Sequence, residues 1–260
     1  MKRNKRSVII LCGGKGTRLG DLGKKIPKTL VKIQGKEILW YIIKFLKKNK
    51  FNHLILPLGY KAELIKKFLK INKNFNIDID CVMTGINANI GSRIALAQSK
   101  IESENILLLN GDAVFNFNIN KIFTSHERNN TSVSFLSGET TYPYGTIGVK
   151  KGKITDFKRN LIYDSLSVRL LSNYVAYNYT GISIIKSKLI KNMIKIYKNT
   201  KNFEQTFFSK IIRSHESQLV KIKGFFHSID SVKDIIVVDN KLNKDKKFIE
   251  LKKLKKLCLK

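Results

Sequence analysis

The chain has 260 residues, 43% hydrophobic and 27% charged, which is the make-up of a globular protein able to bury a large core in one or two domains. No apolar run approaches the roughly 18 residues of a membrane span, and the basic start MKRNKR runs into a glycine loop instead of a cleavage site, so neither a span nor a signal peptide is expected. Cys12, Cys81 and Cys258 are too far apart for a disulfide framework or metal cluster and fit a reducing cytoplasm, the expected location. The net charge of +31 is nearly all lysine, spread over predicted helix faces. It reads as solvated surface that also draws in phosphorylated substrates, and nucleic acid is disfavoured as a partner.

The first apolar run, Val8 to Cys12, reads as a strand buried on both faces, and it stops at Gly13-Gly14-Lys15-Gly16-Thr17-Arg18. So little side-chain bulk lets backbone N–H groups approach an anion, and Arg18 and Lys28 add positive charge. This predicts phosphate binding at the carboxyl end of a parallel strand. Two familiar loops do not fit. Thr17 follows Gly16 where the P-loop needs Lys, and Leu19 stands where the third glycine of a dinucleotide fingerprint belongs.

Helical spacing then covers Ile38 to Lys48 and Ala62 to Leu69, with strands expected at Asn52 to Leu58 and Ile77 to Met83. Thr84-Gly85 opens a polar loop ending at Gly91-Ser92-Arg93, followed by a helix over Ile94 to Ser99. Asn105 to Leu109 reads as a buried strand stopped by Asn110-Gly111-Asp112. A helix over Ile119 to Arg128 and a strand over Thr131 to Leu136 complete an alternating pattern. Beyond it, Tyr142 to Phe157 suggests a hairpin or antiparallel edge, and Asn160 to Asn173 has no regular pattern. Val175 to Ile185 reads as strand, Ser187 to Tyr197 and Phe203 to Arg213 as helices, and Leu219 to Ile222 and Phe225 to Ile229 as short strands.

The expected fold is α/β: a doubly wound, mostly parallel, Rossmann-like sheet with helices on both faces and a small antiparallel β/helical C-terminal subregion. Residues 1–240 are expected to form one domain, with a core over 7–137 and a subregion over 138–240, and 241–260 a Lys-rich helical tail. Asp112 and Asp230 each stand just past an apolar strand and face the cationic loop. Two such carboxylates plus substrate phosphates are what a Mg²⁺-nucleotide site needs. His53, His126, His215 and His227 lack metal-ligand spacing and read as surface or capping residues, while Trp40 and Phe225-Phe226 read as core.

Taken together, G-G-x-G-T-R-L, then Pro27-Lys28, then a strand ending Gly111-Asp112 resemble the sugar-1-phosphate nucleotidyltransferases. Gly35-Lys36-Glu37-Ile38-Leu39-Trp40, Gly59-Tyr60-Lys61, the Thr84–Arg93 loop and Gly224-Phe225-Phe226 with Ile229-Asp230-Ser231 are similar to motifs of the glucose-1-phosphate cytidylyltransferases.

The resemblance implies a Mg²⁺-dependent enzyme that joins CTP and a sugar 1-phosphate into a CDP-sugar, CDP-glucose first, and releases pyrophosphate. It implies that Gly13, Gly14, Gly16, Thr17, Arg18 and Gly111 hold the triphosphate, with Arg18 on the leaving pyrophosphate and Lys28 at the α-phosphate. Asp112 and Asp230 would ligate the metal, and Thr84, Gly85 and Arg93 would surround the nucleoside. The chain departs from the family on the acceptor side. The family's F-x-E-K is Phe157-Lys158-Arg159-Asn160 here, and its N-G-G is Tyr179-Thr180-Gly181. Lys158 or Arg159 then supplies the acceptor cation from a shifted position, with Thr180 and Gly181 beside the sugar, or the acceptor differs. The alternatives are another nucleotide, such as guanylyl transfer to a heptose phosphate, or a non-catalytic nucleotide-binding homologue. A homo-oligomer stays open.

Overall fold

A computed structural model describes residues 5–141, 146–159, 161–163, 165–167, 175–200 and 202–244. The tip of the expected hairpin at 142–145, much of the patternless stretch, Asn160 among it, and the tail from 245 lie outside them.

In chain order the elements are β1 (Ser7–Leu11), α1 (Asp21–Lys25), β2 (Lys32–Ile33), β3 (Lys36–Glu37), α2 (Ile38–Lys48), β4 (His53–Leu58), α3 (Ala62–Ile71) and β5 (Asp78–Met83). There follow α4 (Ile90–Ala97), β6 (Asn105–Asn110), β7 (Ala113–Phe117), α5 (Ile119–Arg128), β8 (Val133–Ser137), β9 (Thr140–Thr141), β10 (Thr146–Lys150) and β11 (Lys153–Lys158). The chain continues with β12 (Ile162–Tyr163), β13 (Ser165–Ser167), β14 (Val175–Tyr177), β15 (Tyr179–Lys186), α6 (Ser187–Tyr197), α7 (Phe203–Ser214), β16 (Ser217–Lys221), β17 (Gly224–Ser228) and α8 (Val232–Lys244).

Seven strands form the central sheet in the order β16-β8-β15-β6-β1-β4-β5. All neighbours are parallel except β15, which runs antiparallel to both β6 and β8. β1 shows why the sheet is covered twice. Val8 and Ile10 pack into one hydrophobic cluster with α2, while Ile9 points into another with α4, α6 and α7. Each fully buried aliphatic side chain of this kind contributes about 1.5–3 kcal/mol of burial free energy. α2 buries nearly its whole length, Trp40 included, and Phe45 meets Phe115 of β7 edge to face at 4.9 Å. The mostly parallel α/β architecture expected from the alternation is present.

Three local expectations change. α4 begins at Ile90 because the Asn89 side chain accepts the Ser92 N–H at 2.8 Å, so Gly91-Ser92-Arg93 form the first turn of the helix instead of the end of a loop. α8 begins at Val232, ahead of Lys241 where the Lys-rich helical tail was expected to start, and it buries Val238 and Leu242. His53 and His126 are core residues, not surface ones. His53 bridges Ser7 Oγ (2.9 Å) and Asp80 Oδ2 (3.1 Å), and His126 bridges Ser134 Oγ (2.7 Å) and Asn105 Oδ1 (3.2 Å). Among the described residues, no helix is long and apolar enough to cross a membrane.

Candidate active site

The strand β1 ends beneath a loop in which Gly16 takes the left-handed backbone conformation, φ 62°, at no steric cost to glycine. The Leu19 N–H closes onto the Gly16 carbonyl at 3.0 Å, which turns Thr17 and Arg18 over the end of the sheet. Pro27, at φ −65° and ψ 146°, then sets the entry to a short turn that carries Lys28 back under the loop.

From the neighbouring strand, β6, the chain turns at Gly111, whose N–H donates to the Leu11 carbonyl at 3.2 Å. A side chain there would stand 2.8 Å from Thr29 Cγ2 and 2.9 Å from the Leu11 oxygen, so glycine is required for the turn to lie against β1. Asp112 follows. Asp230 arrives from β17, which pairs antiparallel with β7, and the Ile229 N–H donates to the Asp112 carbonyl at 2.8 Å.

These turns bring Arg18, Lys28, Asp112 and Asp230 together. Lys28 Nζ donates to Asp112 Oδ2 at 2.7 Å and to Asp230 Oδ1 at 2.9 Å, and Arg18 Nη1 lies 3.1 Å from the same Asp230 oxygen. The Lys28 side chain is 13% exposed and that of Arg18 75%, so Lys28 is the inner cation and Arg18 the one at the rim. Burial pushes the Asp230 carboxyl up, but the Lys28 hydrogen bond and the charges of Lys28 and Arg18 outweigh it and hold the group below its ordinary value.

All four residues line a cavity of about 750 Å³ with Gly13, Gly14, Gly16 and Thr17. The two carboxylates present hard oxygen donors to a single cation, here the Lys28 ammonium, and such a pair suits a hard divalent ion completed by water and phosphate oxygens. Among the described residues no group of three or more His, Cys, Asp or Glu is gathered to hold a metal.

On the far wall Arg93 is buried, its guanidinium packed against Gly13 and Gly59. It donates to Thr84 Oγ1 at 2.5 Å and to the Ile86 carbonyl at 3.4 Å, and Thr84 Oγ1 in turn donates to the Leu58 carbonyl at 2.7 Å. Arg93 thus braces the glycine loop while lining the cavity. The Thr84 hydroxyl is turned into the backbone, and the wall next to it is built by Ile86 to Ile90.

Opening off the same carboxylates is a second cavity of about 870 Å³, lined by Thr180, Gly181, Asn178, Phe225 and Phe226 among others. Thr180 Oγ1 donates to the Leu136 carbonyl at 2.8 Å, and Gly181, at φ 72°, leaves room for the Asn110 side chain. Lys158 and Arg159 sit at the end of the exposed β10–β11 hairpin and line neither cavity.

Sequence reasoning missed two residues. Glu204, in the first turn of α7, lines both cavities, and nothing local in the sequence marks it. Asp234 Oδ2 accepts the N–H of Asp230 (2.9 Å), the N–H of Ser231 (2.7 Å) and Ser231 Oγ (2.9 Å), which fixes the Asp230 turn at the start of α8. Ser231-x-x-Asp234 is a capping-box spacing, so that signal was available.

Residues 7–224 match the family model described as nucleotidyl transferase. A probable glucose-1-phosphate cytidylyltransferase of Bacillus subtilis is 27% identical over 255 residues, covering 90% of this chain and 95% of the relative. A D-glycero-alpha-D-manno-heptose 1-phosphate guanylyltransferase of Aneurinibacillus thermoaerophilus is 30% identical over 152 residues, covering 58% of this chain and 66% of the relative. The crystal structure of HddC from Yersinia pseudotuberculosis complexed with GMP-PN is similar in fold, with a TM-score of 0.66 at 22% identity over 91% of this chain and 99% of that one. The chain belongs to the nucleotidyl transferase family, among its sugar-1-phosphate nucleotidyltransferases.

Proposed function

We propose that the protein transfers a cytidylyl group from CTP to a sugar 1-phosphate, glucose 1-phosphate first, in a Mg²⁺-dependent reaction that forms a CDP-sugar and pyrophosphate. The observation that carries this reading is the convergence of Lys28, Arg18, Asp112 and Asp230 at the mouth of the glycine loop. The full-length similarity to the B. subtilis relative favours CTP and glucose 1-phosphate. Residues 7–137 then handle the nucleotide, and 138–240 the acceptor.

A phosphate oxygen of the acceptor attacks the α-phosphorus of CTP in line, and the bond from that phosphorus to the oxygen bridging the β-phosphate breaks. Little covalent help is needed, so positioning and charge do most of the work. The backbone N–H groups of Gly13, Gly14 and Gly16 and the side chain of Arg18 hold the triphosphate and the departing pyrophosphate. Lys28 balances charge at the α-phosphate. Asp112 and Asp230 would hold Mg²⁺, which neutralises phosphate charge when bound.

Guanylyl transfer to a heptose 1-phosphate is the second reading. It is favoured by the similarity to the A. thermoaerophilus enzyme and by the altered acceptor motif at Phe157-Lys158-Arg159. Pyrophosphate release from each NTP, paired with glucose, mannose and D-glycero-D-manno-heptose 1-phosphates, separates the two. Release with CTP and glucose 1-phosphate supports the first reading, release with GTP and the heptose the second, and silence with every pair overturns both.

A further inference from the structure

Glu204 has no task in the scheme above. With Arg18, Asn110, Asp112 and Asp230 it forms the wall shared by the two cavities. We propose that the Glu204 carboxylate recognises the acceptor, taking hydrogen bonds from ring hydroxyls of the sugar 1-phosphate as it lies in the second cavity. This rests on the nucleotidyl-transfer reading and assigns acceptor recognition to helix α7 instead of the β10–β11 hairpin.

The chemistry of the site narrows the choice of ligand. Asp112 and Asp230 are satisfied by Lys28, whereas no hydrogen bond or ion pair reaches the Glu204 carboxylate among the described residues. Among those residues Glu204 forms no metal-holding group with Asp112 and Asp230. Phosphate does not suit it, since two anions repel. A neutral donor fits the carboxylate, and in the second cavity a sugar hydroxyl is one.

The cavity has the two faces that a sugar ring needs. Asn178 and Thr180 are polar, while Phe225 and Phe226 offer an apolar surface. Glu204 is also held in place. Phe203 beside it is buried, stacks on Phe207 at 4.8 Å and packs so closely on Gly91 that a side chain there would stand 2.6 Å from the Phe203 ring. Burial, then the nearby Asp112 charge, pushes the Glu204 carboxyl up.

An acid in the first turn of a helix also complements the helix dipole, so the test must separate recognition from stability. The probe is whichever of glucose, mannose and D-glycero-D-manno-heptose 1-phosphate gives the highest kcat/KM with wild type, together with its monodeoxy analogues. Glu204→Ala should raise the KM for that acceptor by about 10- to 10²-fold, the worth of a hydrogen bond to a charged group, and move the KM for the nucleotide by less than about twofold. At least one deoxy analogue should lose about tenfold or more with wild type and suffer no further loss in Glu204→Ala. Glu204→Gln, which keeps one acceptor oxygen and the helix, should fall between. An unchanged acceptor KM, or a deoxy penalty that survives in Glu204→Ala, overturns the assignment. Wild type that releases no pyrophosphate with any pair overturns the parent reading as well, so the two failures are told apart.

Discussion

The Ile229 N–H donates to the Asp112 carbonyl at 2.8 Å, a backbone bond that ties the two carboxylate-bearing turns to each other. The antiparallel pairing of β17 with β7 brings Ser228 opposite Ala113, directly behind both acids. Two like charges held this close need a cation, and Lys28 supplies it by direct hydrogen bonds to both. The geometry is therefore preorganised by backbone before any ligand arrives, which is the condition under which fixed charges contribute most to a transition state.

Removing that cation should be felt in the rate more than in binding. Lys28→Met is expected to lower kcat by about 10²- to 10³-fold, by analogy with the loss of one preorganised donor. Arg18→Ala should cost less, because Arg18 is exposed and its pairing with Asp230 is screened by solvent. Pyrophosphate release under saturating nucleotide measures both, and a Lys28→Met enzyme within tenfold of wild type would remove Lys28 from the chemistry.

Two glycines of the site should respond in opposite ways. Gly111→Ala forces a methyl group against the Leu11 carbonyl and Thr29, and backbone cannot yield as a side-chain tip does. A loss of about 1–3 kcal/mol, the usual cost of overpacking, is expected in a denaturant titration. Gly14 has nothing within 4 Å of an added side chain, so Gly14→Ala should fold with wild-type stability. Its effect should be confined to a raised KM for the nucleotide, because the methyl group stands in the cavity that the loop lines.

His126 predicts a pH effect on stability that is independent of catalysis. Asn105 Oδ1 can only accept, so His126 Nε2 carries the proton and Nδ1 accepts from Ser134, which itself accepts from Gln218 Nε2 at 2.6 Å. Burial, then the Lys186 charge, pushes the imidazole down to about 4 from 6.5. The native ring stays neutral while the unfolded ring takes up a proton, so stability is complete above pH 6.5 and falls as pH drops toward 4. At pH 5 the loss should be on the order of 1–2 kcal/mol after allowance for screening, a few degrees in Tm. His126→Gln should flatten the Tm profile between pH 7 and 5, and a parallel profile would exclude His126 as its source.

What was legible in the sequence was what local chemistry determines. The both-face apolar run of β1, the glycine loop after it and the strand-end position of Asp112 each need only a few adjacent residues to be read. The pairing of Lys28 with Asp112 and Asp230 needs the whole sheet, and the sequence led only as far as two strand-end acids facing a cationic loop. His53 and His126 were misread because their partners come from other strands, and a histidine shows no sign in sequence of the Ser, Asn or Asp that will satisfy it. Glu204 was invisible for a related reason. It is an ordinary first-turn acid until Phe203 packs on Gly91 and aims it at the cavity.

Asp234 offers a way to loosen the site without touching an acid proposed to bind metal. Its Oδ2 collects the Asp230 and Ser231 amides and the Ser231 hydroxyl, so it holds the turn that carries Asp230. Asp234→Ala should cost about 1 kcal/mol, as a lost helix cap does. It should also lower kcat by about tenfold, because Asp230 no longer has a fixed backbone, and small misplacements of a reacting group are expensive in rate. Asp234→Asn retains an acceptor oxygen and should recover most of both losses. If Asp234→Ala lowers Tm while kcat stays at the wild-type value, the Asp230 turn is held by the Ile229–Asp112 bond alone, and the capping box serves only the helix.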